Sequence, residues 1–188
     1  MKIVCLLGSP RLKGNSATVA KKFIKTAESL GAEVQTFALN KLEYKGCQGC
    51  YVCKTKRESC VLDDGLTPVL EAVKDCDVLV IASAIYYGDV TSQTKAFIDR
   101  TFSYIKPDYL TNPQPSRLVP GKKVLWITSQ EDPDPNRYEA VDNYSRFFGY
   151  FGMESSSIKA AGVGEYGQVN VGEEYLNQAK EAAQRLVC

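Results

Sequence analysis

Short apolar runs rich in β-branched residues alternate along this chain with amphipathic helical patterns. Five runs have the length and composition of strands: KIVCLLG (2–8), EVQTFAL (33–39), DVLVIAS (77–83), KKVLWITS (122–129) and SSIKAAGV (156–163). The alternation predicts an α/β domain with a doubly wound parallel sheet. Such sheets bind ligands outside the carboxyl ends of their strands. The loops after the first, third and fourth strands should therefore line one site.

Length and charge limit the classes of protein to consider. The chain has 188 residues, so we expect a single domain over 1–188 with a cysteine-rich insert at about 45–64. Its 23 basic and 22 acidic side chains leave a net charge of +1, which gives no footprint for nucleic acid or an anionic membrane. The first apolar run is too short for a signal peptide or a membrane span, so we expect a cytoplasmic protein with reduced thiols. Cys5 and Cys76 should pack in the core as small hydrophobes.

The first predicted βα loop has the composition of an anion site. Its sequence is GSPRLKGNSAT (8–18), with Asn15 or Ser16 as the expected helix cap. Amides and the positive dipole end at a helix N-terminus bind anions, and Arg11 adds a guanidinium. The loop lacks the Gly-Lys-Ser/Thr of a Walker A sequence and the G-x-G-x-x-G of a dinucleotide site. The loop therefore predicts a binding site for a terminal phosphate monoester. The alternative is a polar turn that binds no ligand.

The loops after the third and fourth strands predict an aromatic slot. Tyr86, Tyr87 and Gly88 offer flat faces and a closely approachable backbone for a planar ligand. Ser129 and Gln130 could hydrogen-bond the edge of a heteroaromatic ring. Trp126, within the fourth strand, should be a core residue.

Four cysteines occur within a short segment of a chain without histidine. Cys47, Cys50, Cys53 and Cys60 follow the spacing C-x2-C-x2-C-x6-C. The spacing is similar to the run that holds 4Fe–4S clusters in ferredoxins. Zinc, a redox disulfide and cysteines without metal are the alternatives. Four flanking basic residues would offset the negative charge of a cluster: Lys45, Lys54, Lys56 and Arg57. We expect the cluster on the same rim of the sheet as the ligand loops.

These segments together resemble the flavodoxin-like NAD(P)H-dependent FMN reductase superfamily and, with the cysteine run, its iron-sulfur flavoprotein branch. The resemblance extends from Ile3 to about Val171. It implies a five-stranded sheet of order 2-1-3-4-5 and bound FMN. By resemblance, the phosphate would be held by Ser9, Arg11, Asn15, Ser16, Ala17 and Thr18, the ring and ribityl chain by Ala84, Ile85, Tyr86, Tyr87 and Gly88, and the far edge by Ser129 and Gln130. Glu131 departs from the glycine that many relatives carry.

The implied function is an FMN-dependent oxidoreductase with a 4Fe–4S cluster. It would move electrons between NAD(P)H or ferredoxin and a small-molecule or protein acceptor. The flavin would do the chemistry, so no catalytic side chain is named. A homodimer or homotetramer is implied as well. The alternatives are a cluster-free quinone or nitro reductase, and an electron carrier or redox sensor that docks through the loop at 106–121.

Overall fold

The computed structural model describes residues 1–188 and is built around five parallel strands. The strands are β1 (Lys2–Leu7), β2 (Glu33–Ala38), β3 (Val78–Tyr86), β5 (Lys123–Ser129) and β6 (Glu154–Ala160), with a two-residue strand, β4 (Asp89–Val90), between the third and fourth of them. The order across the sheet is β2-β1-β3-β5-β6, and β4 pairs antiparallel with the end of β3. Because β4 lies off the main path, the predicted order of five parallel strands is confirmed. This is the flavodoxin-like order.

Six helices accompany the sheet. They are α1 (Asn15–Ser29), α2 (Val52–Thr55), α3 (Thr67–Asp75), α4 (Ser92–Arg100), α5 (Ala140–Gly149) and α6 (Glu173–Val187). Short 3-10 turns cover Leu39–Lys41, Thr101–Tyr104 and Glu165–Gly167. None of the helices combines the length and the hydrophobicity that crossing a bilayer requires.

The sheet is buried on both faces because its strands alternate their apolar side chains between two cores. In β1, Ile3 and Cys5 point into the core shared with α1 and α6, whereas Val4 and Leu6 point into the core shared with α3, α4 and α5. Trp126 is fully buried in the second core, as predicted. The predicted burial of Cys5 is also confirmed, and burial raises the pKa of its thiol to about 12.

Several helix ends differ from the sequence predictions. The N-cap of α1 is Gly14 and no side chain caps it, so the expected cap at Asn15 or Ser16 is wrong. The Thr67-Pro68 pair predicts an N-cap followed by proline at the first helical position, but Thr67 is itself the first residue of α3. Its hydroxyl donates to the Leu62 carbonyl and accepts from the Asp64 amide. The sequence TSQTKAFIDRTFSYI (91–105) predicts a single helix, but α4 ends at Arg100 and the chain continues as a 3-10 turn.

Candidate functional site

A cleft of about 480 Å³ lies at the carboxyl ends of β1, β3 and β5. The structure brings most of the predicted cofactor residues together there: Ser9, Arg11, Asn15, Ala84, Ile85, Tyr86, Tyr87, Ser129 and Gln130. The others do not line the cleft. Ser16, Ala17 and Thr18 lie in the first turn of α1, and Gly88 is in the turn behind Tyr87. The prediction that three loops meet at one site is confirmed.

One end of the cleft has the features of an anion site. The backbone N–H groups of residues 15–17 donate to no acceptor in the protein, as expected for the first turn of a helix. Ser9 is buried beside them, and its hydroxyl accepts from the Arg11 amide at 3.2 Å. The exposed Arg11 side chain donates from Nη2 to the carbonyl of Gly167. Free amides, a hydroxyl and a guanidinium therefore converge at the positive end of α1.

A loop at 163–171 forms a wall of the cleft that sequence reasoning missed. Its backbone is held by Asn15, whose Oδ1 accepts from the amides of Asn170 at 3.0 Å and Val171 at 3.1 Å. The Nδ2 of Asn15 donates to the carbonyl of Gln168 at 3.3 Å. The Asn15 side chain thus tethers this loop across the start of α1. The glycines at 162, 164 and 167 were the available sequence signal, since all three have positive φ.

The aromatic wall is a tight hairpin between β3 and β4. Its two central residues, Tyr87 and Gly88, have φ of 51° and 80°, as a type I′ turn requires. A tyrosine pays about 1–2 kcal/mol for this left-handed conformation. A Cβ on Gly88 would lie 3.2 Å from Cδ1 of Tyr138. The turn holds Tyr87 fully exposed at the rim of the cleft, next to the half-exposed Tyr86.

The hairpin is braced from below by a tyrosine. The hydroxyl of Tyr144 donates to the Asp89 carboxylate, with Oδ1 at 2.8 Å and Oδ2 at 3.0 Å. The Tyr144 ring stacks on Trp126 at a centroid distance of 5.8 Å. Burial, followed by the hydrogen bond to Asp89, raises the pKa of Tyr144 well above its ordinary value. Tyr144 is therefore a protonated donor at neutral pH.

A buried group of hydroxyls joins the first loop to α4. Thr91 donates from Oγ1 to the carbonyl of Gly8 at 2.7 Å and caps α4 by accepting from the Thr94 amide. Its own amide donates to Ser83 Oγ at 3.0 Å. A Cβ on Gly8 would lie 1.9 Å from Thr94 Oγ1, so only glycine fits there. These contacts fix the floor of the cleft relative to the hairpin.

The third loop contributes an acidic lip. Gln130 donates from Nε2 to the carbonyls of Asp132 at 3.2 Å and Asp134 at 2.7 Å, so its amide nitrogen holds the lip in place. Glu131 and Asp132 line the cleft. The cleft is consequently bipolar, with Arg11 in one wall and carboxylates in another.

The four predicted cysteines line a second cavity, which is small, at about 20 Å³. Cys47 and Cys50 are exposed, while Cys53 and Cys60 are partly buried. Burial raises the pKa of the Cys53 thiol, as do the three other thiols, whereas Lys54 lowers it. No three Cys, Asp or Glu side chains are grouped closely enough to hold a metal ion. The sulfurs thus share one cavity without forming a closed ion site.

Basic side chains clamp the backbone around this cavity. Lys54 donates from Nζ to the carbonyl of Phe102 at 2.5 Å and lies 3.9 Å above the centroid of its ring. Arg117 donates from Nη2 to the carbonyl of Cys53 at 3.1 Å. Burial lowers the pKa of Lys54, with Arg117 adding to the effect against the raising influence of Cys53. Two cations therefore hold the segment that carries the cysteines.

The cleft and the cysteine cavity share no lining residue. Thr91, which caps the start of α4, touches the floor of the cleft, and Arg100, at the end of α4, lines the cysteine cavity. A nine-residue helix spans about 13 Å. The cysteine cavity thus lies beside the end of α4, and the expectation that the cysteines share the rim of the ligand loops stays a prediction.

Comparison with known proteins identifies relatives. The family model described as NADPH-dependent FMN reductase matches residues 1–131. An iron-sulfur flavoprotein from Archaeoglobus fulgidus is 38% identical over 104 residues, which cover 55% of this chain and 47% of that protein. The chain thus spans about half the length of the iron-sulfur flavoproteins that it matches.

Solved structures agree with the fold. An FMN-dependent NADH-azoreductase from Bacillus anthracis, solved with FMN, has a TM-score of 0.76 at 16% identity, with 100% of both chains covered. An NAD(P)H:quinone oxidoreductase from Methanothermobacter marburgensis has a TM-score of 0.75 at 16% identity, covering 99% of this chain and 96% of that one. The family match extends from β1 through the end of β5, and it includes the cleft loops after β1 and β3 and the first two residues of the loop after β5. This chain belongs to the NADPH-dependent FMN reductase family.

Proposed function

We propose that this protein is an FMN-dependent oxidoreductase that takes electrons from NAD(P)H or ferredoxin and passes them to an acceptor through a 4Fe–4S cluster. The observation that carries the proposal is the cleft at the carboxyl ends of β1, β3 and β5, which combines an anion site with an exposed aromatic wall. FMN, when bound, supplies hydride transfer at its ring and one-electron exchange with a second centre.

The phosphate would lie at the start of α1. The free amides of residues 15–17 and the Arg11 guanidinium provide donors for its oxygens, and the buried Ser9 hydroxyl lies beside them. Asn15 contributes indirectly, because its side chain is committed to the loop at 163–171. This loop would lie beside the phosphate.

The flavin ring would pack against the hairpin. Tyr86 and Tyr87 offer aromatic faces, and Ser129 and Gln130 line the cleft at the end of β5. Glu131 and Asp132 disfavour a negative charge at their end of the cleft. A ligand with one anionic end would therefore bind with that end at Arg11. The residues bind and orient the cofactor, and we assign no acid or base among them.

The cluster would be held by Cys47, Cys50, Cys53 and Cys60, which line one cavity under basic side chains. Four thiols without histidine suit an iron-sulfur cluster. Structural zinc sites usually pair two C-x2-C knuckles across a longer loop, and three overlapping cysteines match that pattern less well. A cavity of about 20 Å³ has room for about one water molecule, so loading must move the exposed wall at Cys47 and Cys50 outward.

The phosphate assignment is tested by titrating flavin-free protein with FMN and with riboflavin, which lacks the phosphate. Arg11→Gln should weaken FMN binding about tenfold, as expected for a lost charged hydrogen bond of about 1.5 kcal/mol, and leave riboflavin binding unchanged. Lys13→Gln is the matched control, since Lys13 is exposed on the same loop and does not line the cleft. Equal losses for both flavins, or no binding of either, would reject the assignment.

A second candidate function keeps FMN and lacks the cluster. It is favoured by the small cysteine cavity and by the absence of a closed ion site. The protein would then reduce quinones or nitroaromatics directly from NAD(P)H. Steady-state turnover by protein that contains flavin and no iron, even after reconstitution, would select this candidate.

We also expect a homodimer or homotetramer in the cytoplasm. Tyr86 and Tyr87 are exposed aromatic side chains at the rim of the cleft, where a second subunit would cover the flavin. Sedimentation of the loaded protein tests this, and a monomer at micromolar concentration would contradict it.

A further inference from the structure

We propose that Arg100 donates a hydrogen bond from Nε to a sulfur atom of the iron-sulfur group held by the four cysteines and thereby raises its reduction potential. This inference rests on the proposed function. It adds to that function a positioning and tuning residue outside the cysteine run.

The guanidinium of Arg100 is almost completely committed to the cysteine segment. The side chain is 1% exposed and lines the cysteine cavity. Its Nη1 donates to the carbonyl of Lys45 and to Oδ2 of Asp64, both at 2.9 Å, and its Nη2 donates to the carbonyl of Leu62 at 3.2 Å. These bonds close the two ends of the segment and fix the plane of the guanidinium.

One donor of this group is left over. The Nε of Arg100 is buried and has no hydrogen-bond acceptor in the protein. Buried donors are nearly always paired, so each exception calls for a physical explanation. The indole Nε1 of Trp126 is the other buried donor without a partner, but Trp126 packs between the rings of Tyr144 and Phe148 in the apolar core. Arg100 instead lines the same cavity as the four cysteines.

The chemistry of the proposed occupant matches this donor. Thiolate and sulfide sulfurs accept hydrogen bonds, and a charged guanidinium is a strong donor. Reduction adds a negative charge to an iron-sulfur group, so a positive charge and a hydrogen bond at its sulfurs stabilise the reduced form. The ion pair with Asp64 holds Arg100 in place without filling its Nε position.

The test compares Arg100→Lys with Arg117→Lys in anaerobically loaded protein. Both changes keep the positive charge, and Arg117 also clamps the segment, through the carbonyls of Ser103 at 2.8 Å and Cys53 at 3.1 Å, but does not line the cavity. Redox titration followed by electron paramagnetic resonance gives the potential. Iron and sulfide contents, with the thermal midpoint of the metal-free protein, report structural damage.

We expect Arg100→Lys to retain iron. Its equilibrium between oxidised and reduced cluster should shift about tenfold toward the oxidised form relative to the unmodified protein, which lowers a one-electron potential by about 59 mV. Arg117→Lys should lower the thermal midpoint and shift the potential by much less than Arg100→Lys does. Equal shifts in the two variants, or no shift in Arg100→Lys, would overturn the proposal.

A measurement on the unmodified sequence guards against a variant that does not fold. Protein labelled with ¹⁵N-arginine and reduced should show a ¹⁵N hyperfine coupling to the iron-sulfur group in electron-nuclear double resonance spectra. Loaded protein without this coupling would overturn the role of Arg100 and leave the cluster standing. Protein that takes up no iron would instead reject the proposed function, and the inference would fall with it.

Discussion

The Thr91 hydroxyl makes two structural connections at once, and we expect its removal to weaken both the fold and the cleft. It donates to the carbonyl of Gly8 at 2.7 Å and caps α4 through the Thr94 amide. Thr91→Val keeps the shape of the side chain and loses the hydroxyl. The Gly8 carbonyl is then left without this donor directly beside the phosphate end of the cleft.

The size of the effect follows from these contacts. Loss of a helix cap costs about 1 kcal/mol, and a buried carbonyl without its donor costs about 1–3 kcal/mol. The free energy of unfolding should therefore fall by about 2–4 kcal/mol. For a domain of this size each kcal/mol corresponds to about 2–4 °C, so the thermal midpoint should fall by roughly 4–16 °C.

Urea denaturation and thermal melts of flavin-free protein measure this effect. Thr111→Val is the matched control, because the hydroxyl of Thr111 donates to the Asp108 carbonyl at 3.2 Å in an exposed turn. We expect the control to lose less than about 0.5 kcal/mol. If Thr91→Val lost no more than Thr111→Val, the account of the buried hydroxyl group would be refuted.

Three further predictions concern separate parts of the molecule. Tyr87→Gly should stabilise the flavin-free protein by up to about 1 kcal/mol in urea denaturation, because it relieves the strain of the left-handed backbone at this position. It should also weaken FMN binding. A lower free energy of unfolding in the variant would contradict the prediction. Burial would raise the pKa of Asp64, but hydrogen bonds from Arg100 and two amides bring it below its ordinary value. A carboxylate with a depressed pKa stabilises the fold at neutral pH, and this contribution is lost as the pH falls through the folded-state pKa. Asp64→Asn should therefore lower the thermal midpoint at pH 7, and the difference between the variant and the unmodified protein should shrink below about pH 4. A difference in thermal midpoint that stays constant with pH would be inconsistent. Cys53→Ala should lose iron and retain FMN, whereas the exposed Cys188→Ala should retain both, as metal and flavin analysis can show.

The sheet and its order could be predicted because buried parallel strands produce continuous apolar runs. β1, β3 and β5 are covered on both faces, which favours apolar side chains at successive positions. The two-residue β4 could not be found in this way, because its pairing depends on the left-handed turn at Tyr87 and Gly88. Tertiary geometry decides that turn, since a tyrosine is an uncommon choice for it.

The cleft was predicted in part. The residue types at the ends of β1, β3 and β5 identified three of its walls, because parallel strands end at a common rim. The fourth wall, at 163–171, depends on long-range hydrogen bonds from Asn15 that no local pattern encodes. Asparagine is a residue type that often caps helices, but the side chain of Asn15 hydrogen-bonds to this loop instead.

The cysteine run indicated one shared cavity, which the structure contains, but not its place in the fold. The segment leaves β2, packs along α4 and is closed by the ion pair between Arg100 and Asp64. Spacing alone carries no information about a contact 36 residues away in sequence. The spare donor of Arg100 is likewise visible only from the hydrogen bonds that the rest of its guanidinium makes.

We propose that one chain carries a flavin in the cleft and an iron-sulfur cluster at the cysteines. The content of FMN, iron and acid-labile sulfide per chain, in protein purified without oxygen, tests this most directly. We expect about one FMN, four irons and four sulfides. Flavin without iron after attempted reconstitution would contradict the cluster, and protein that retains neither would contradict the account as a whole.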